Sequence, residues 1–111
     1  MNTKEELKSS LLQFKRDNNE TWRSINFHIF AEQVINLIGD REKAISKLRE
    51  CATHANTIDH LCEEMMSELE KSTSDPTKVK TCFEKIGCEN SQLNLLFDEY
   101  KSLRKKPVEK D

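Results

Sequence analysis

The residues best equipped for chemistry in this chain are four cysteines and three histidines. Cys51 and His54 are three apart, a spacing that lets two side chains on a helix reach one metal ion. His60 and Cys62 are two apart and point to different faces. Cys51 and Cys62 share a face but lie about 16 Å apart along a helix axis, too far to ligate one ion. A metal site would therefore have to borrow Cys82 or Cys88, and no CxxC pair supports one. The simpler expectation makes Cys51 and Cys62 small apolar core residues, His54 and His60 surface residues, and all four thiols free. No metal or cofactor is expected.

Acid–base or nucleophilic catalysis has little basis. Glu63 and Glu64 lie about one turn from His60 and Glu68 one turn further on, as in any charged helix face. The two glycines do not form a phosphate-cradling loop. The expectation is a non-enzyme with no catalytic residues. Nucleic-acid binding through Lys101, Arg104, Lys105 and Lys106 beside Tyr100 is the alternative function, and a pI near 6.0 weighs against it.

The elements that hold these residues are helices. With 111 residues, 34% of them charged, and only two Gly and two Pro, the chain reads as one all-α domain over 1–106, with a disordered tail at 107–111. No apolar run approaches the ~20 residues of a membrane span, and the polar start Met1–Glu6 lacks the apolar stretch of a secretory signal. The expected setting is cytoplasmic or nuclear, with no membrane partner.

The clearest pattern runs from Gly39 to Ser72. Ala44, Leu48, Cys51, Ala55, Ile58, Cys62, Met65 and Leu69 recur at alternating steps of four and three. That heptad stripe keeps one helix face on its neighbours. Small residues fill half of it, so bulky partners must come from elsewhere; Phe27, Phe30, Phe83 and Phe97 are the expected ones.

Gly39-Asp40 ends the preceding helix, with Gly39 in a left-handed position and Asp40 as the next cap. Asp75-Pro76 is a strong helix start, and Gly87 reads as a stop. The predicted fold is an antiparallel bundle of two long helices, about 4–38 and 40–72, plus two shorter ones, about 76–86 and 91–105. Asp17-Asn18-Asn19 offers a break in the first helix, but the apolar stripe keeps its phase across it, which favours continuity.

That first stripe comprises Leu7, Leu11, Phe14, Trp22, Ile25 and Ile29. Between residues 27 and 38 a second apolar face opens on the opposite side, so one neighbour cannot serve both. The first stripe is the surface least accounted for by the other helices. It is the predicted partner-binding face, with Phe14 and Trp22 as anchors. The function expected is a helical protein–protein interaction module, an adaptor or complex subunit, engaging a protein partner or a second copy.

Overall fold

Residues 3–105 are described by a computed structural model in three helices, α1 (Thr3–Ile35), α2 (Glu42–Leu69) and α3 (Pro76–Lys105). They make the described residues 88% helical, with no strand among them. The predicted tail at 107–111 and Lys106 lie outside the described residues. No helix is long and apolar enough to cross a membrane.

The eight stripe residues of α2 are all buried, from Ala44 to Leu69. α1 and α3 both pack along α2. The short connections reverse the chain twice, giving an up-down-up rod of 61 × 20 × 19 Å. Cross-links between helices follow this order. The Asn18 side-chain amide on α1 donates to the Ala55 carbonyl at 2.9 Å, and Lys15 pairs with Asp59 at 3.0 Å. On the other side of α2, Lys47 pairs with Glu99 at 2.7 Å and His54 with Glu89.

α1 is unbroken through Asp17-Asn18-Asn19. Its buried positions are Leu11, Asn18, Ile25 and Glu32, one per heptad. Asn18 stays helical because its amide bonds across to α2, so it does not compete for its own backbone.

The two predicted shorter helices are one. α3 passes through Gly87, which has no positive φ, so the left-handed stop is not formed. Val79, Cys82, Ile86, Glu89, Leu93, Leu96, Tyr100 and Leu103 alternate at steps of three and four across the glycine. Cys82, Ile86, Leu93, Leu96 and Tyr100 are buried on that stripe. Continuous packing on α2 outweighs the ~1 kcal/mol that a helical glycine costs.

The Gly39 expectation also changes. α1 closes earlier, at Ile35, through tight turns in which the Leu37 and Ile38 amides donate to the Val34 and Ile35 carbonyls. Gly39 is not left-handed. Arg41 occupies the cap position of α2 without a side-chain capping bond, and Asp40 supplies it from one residue further out, accepting from the Glu42 amide at 3.1 Å. Asn36 clasps the turn by accepting from the Arg41 amide at 2.7 Å and donating to Glu42 at 2.9 Å.

At the other end α2 stops at Leu69 rather than Ser72. The Glu68 carboxylate turns back to accept from the Asp75 amide at 2.8 Å and from Lys71 at 3.0 Å. Asp75 caps α3 by accepting from the Thr77 amide at 3.0 Å, as the Asp-Pro pair implies.

The glycine supplies a direct test. A Cβ at Gly87 meets nothing within 4 Å, and the site is an exposed helix interior. Gly87→Ala is expected to stabilise the chain by about 0.5–1 kcal/mol, raising Tm by roughly 4 °C in a thermal melt. A lowered Tm would mean that the helix does break there.

Candidate functional site

The predicted partner-binding face lies inside the molecule. Leu11 and Ile25 are buried, and Leu7, Phe14, Trp22 and Ile29 are half-buried against the same core. Bulk from α1 is what the small residues of α2 require, and this stripe supplies it. The phenylalanines expected to do so stay outside: Phe27, Phe30 and Phe83 are exposed, and only Phe97 is half-buried against the core.

Exposed apolar surface concentrates instead on the second face of α1 and the turn after it. Phe27 is 65% exposed, Phe30 62%, Leu37 84% and Ile38 90%, with Val34 and Ile35 about half exposed. Phe27, Phe30 and Val34 follow at steps of three and four, so they form one ridge on α1 that continues into Leu37 and Ile38. From Ser24 to Gly39 the only Asp, Glu, Lys or Arg is Glu32, which is buried. An apolar, charge-depleted surface of this size is what interface centres present. The signal was in the sequence as the second face of residues 27–38. Deciding which face lay inside required knowing what α3 and the turn contribute.

Glu32 decides it. It is only 2% exposed and accepts from the Arg41 guanidinium at 2.6 Å and from the Tyr100 hydroxyl at 2.8 Å. One carboxylate thereby ties α1 to the α1–α2 turn and to α3. Burial works to raise its pKa, but the bonds from Arg41 and Tyr100, with the charges of Arg41 and Arg104, hold it below its ordinary 4.5. Burial, and then the bond to Glu32, push the Tyr100 phenol up to about 12.

Aromatic rings link this cluster to the outer ridge. His28 packs on Tyr100 and Phe97 with centroids at 5.6 and 5.8 Å, and stands edge-on to Phe27 at 6.3 Å. Inward rotation of the ridge would expel Glu32 from its donors.

The other candidates do not assemble. His54 is engaged by Glu89, the Cys51 thiol lies against the Leu93 carbonyl at 3.9 Å, and the Cys82 thiol against Glu64 at 3.8 Å. Cys88 is exposed, and all four cysteines are free. Burial raises the Cys51 and Cys62 thiols to about 11, leaving them protonated at neutral pH. Among the described residues no group of three or more His, Cys, Asp or Glu is placed to hold a metal ion.

Glu63 and Asp59 face Lys15, and Glu68 serves the second turn. Of the basic cluster, Lys101 sits 5.4 Å over the Phe97 ring and 3.6 Å from Asp98. At the opposite end of the rod, Leu7, Met65, Leu69, Val79 and Phe83 line an open apolar groove of about 640 Å³.

The Glu32 cluster makes a pH prediction. A carboxyl held below its unfolded value stabilises the fold above about pH 4.5, and that contribution is lost as pH falls through the folded pKa. Tyr100 acts in reverse: its contribution is complete below pH 10 and is lost as pH rises through about 12. Glu32→Gln is expected to cost roughly 1–3 kcal/mol at pH 7. Urea midpoints taken from pH 7 down to pH 3 should show the gap between wild type and variant narrowing. An equal gap at both pH values would show that the charge on Glu32 contributes nothing.

No family model matches the chain, and no curated protein or solved structure in the comparisons is detectably similar to it.

Proposed function

We propose that the chain is a non-catalytic helical interaction module, an adaptor or subunit of a larger assembly, that engages a protein partner through Phe27, Phe30, Val34, Ile35, Leu37 and Ile38. The observation carrying this reading is the concentration of exposed large apolar residues on one uncharged face, in a chain that is 34% charged. A solvated helix face in such a chain would be laced with Lys and Glu, as the outer faces of α2 and α3 are.

Rigidity supports the same reading. Phe27, Phe30, Val34 and Ile35 sit on a regular helix backed by the Glu32 cluster and the His28, Phe97 and Tyr100 rings, so little ordering cost remains there for binding. The proposed setting is the cytoplasm or nucleus, where unpaired thiols such as these persist as thiols.

The test compares outer and inner faces of α1. A Phe27→Ser/Phe30→Ser double variant is expected to keep the wild-type melting temperature within about 4 °C in dilute solution, since each exposed substitution changes stability by under about 0.5 kcal/mol. It should lose partners retained by tagged wild type in a pull-down. Trp22→Ala should instead destabilise the fold by about 2–4 kcal/mol, because its half-buried ring packs on the core. Retention of every partner by the Ser variant would sink the proposal.

A further inference from the structure

We propose that the occupant of this face is a second copy of the chain, paired antiparallel along the C-terminal half of α1 about a two-fold axis. This rests on the interaction reading above and names its partner.

Three observations favour it. The first is area: the six apolar residues expose roughly 700 Å², taking typical residue areas with their fractional exposures, against the ~800 Å² per partner of a stable interface. The second is shape. The face is a convex helical ridge, so its natural complement is another helix lying alongside, and the same ridge supplies one. Being uncharged, it carries no like-charge penalty against itself.

The third observation is charge at the borders. Arg23 lies one turn before Phe27 on the same stripe, and Asp40 lies just beyond Ile38. Both are exposed, and neither is in an ion pair among the described residues. An axis passing beside residue 32 sets Phe30 against the partner's Val34 and Phe27 against the partner's Leu37 and Ile38. The same operation brings Arg23 to the partner's Asp40, twice. Parallel pairing would instead set Arg23 on Arg23 and Asp40 on Asp40, so the border charges select the antiparallel arrangement.

Sedimentation equilibrium over the micromolar range tests this, with circular dichroism confirming helicity of each variant. Wild type is expected to be a dimer. R23D and D40R chains, each facing like charges twice, are expected to dissociate roughly tenfold more readily. Mixing R23D with D40R chains restores both opposite-charge contacts and should recover the wild-type affinity. A dimer indifferent to R23D, or a mixture no tighter than either variant alone, would overturn the antiparallel pairing. A wild-type monomer would overturn self-association altogether. In that case the Phe27→Ser/Phe30→Ser pull-down decides separately. A partner lost with the ridge leaves the interaction reading standing, and no such loss removes both.

Discussion

The rod depends on the packing of a thin stripe on α2 against two helices at once. A structure about 20 Å across and 61 Å long has no room for more than one shared layer of side chains. Ala44, Cys51, Ala55 and Cys62 keep that layer thin, while Leu48, Ile58, Met65 and Leu69 fill it. Closely approaching helices need small residues on one side and large ones opposite. Trp22 and Phe14 from α1, and Ile86, Leu93, Leu96 and Tyr100 from α3, meet that need along the length of α2.

Much of this was legible because heptad spacing is a local pattern with a global meaning. The α2 stripe, a chain reversal near Gly39-Asp40, the Asp75-Pro76 start and the continuity of α1 could all be read from residue type and position, although the turn itself opens earlier, after Ile35, and without a left-handed glycine. Gly87 misled for a definable reason. Its neighbourhood, Gly87-Cys88-Glu89-Asn90-Ser91, looks like a turn, and the stripe position within it is Glu89. That glutamate faces His54 on α2, so the seam continues with a polar pair where an apolar residue was sought. A glycine's local cost is small beside about three turns of packed helix before it and about five after it.

Choosing between the faces of α1 could not succeed from α1 alone. Judged by hydrophobicity, Phe27, Phe30 and Val34 should turn inward and Glu32 outward. The structure does the reverse, because Arg41 and Tyr100 lie 9 and 68 residues away in sequence and converge on one carboxylate. A buried charge is tolerable only when its partners are in place, and those partners are non-local. The inner phase still had a trace in the sequence. Leu11, Ile25 and their half-buried neighbours extend without a shift into Glu32.

One end of the molecule therefore inverts the usual distribution, with an ion pair and a phenol inside and phenylalanines in solvent. As an isolated monomer this arrangement gains nothing from its outer face, whose full burial would release on the order of 15 kcal/mol per chain at ~25 cal/mol per Å² before the costs of association. The inner cluster explains why the ridge cannot simply roll inward: Glu32 would leave both donors and strand the Arg41 guanidinium. Fixing α1 by a polar bond thus holds an apolar surface outward at constant geometry, a pre-organised face with its desolvation cost low. Apart from the buried Glu32, the stretch from Ser24 to Gly39 carries no Asp, Glu, Lys or Arg, and it is bracketed by Arg23 and Asp40, neither of them in an ion pair among the described residues; the proposed pairing would give both features a common cause.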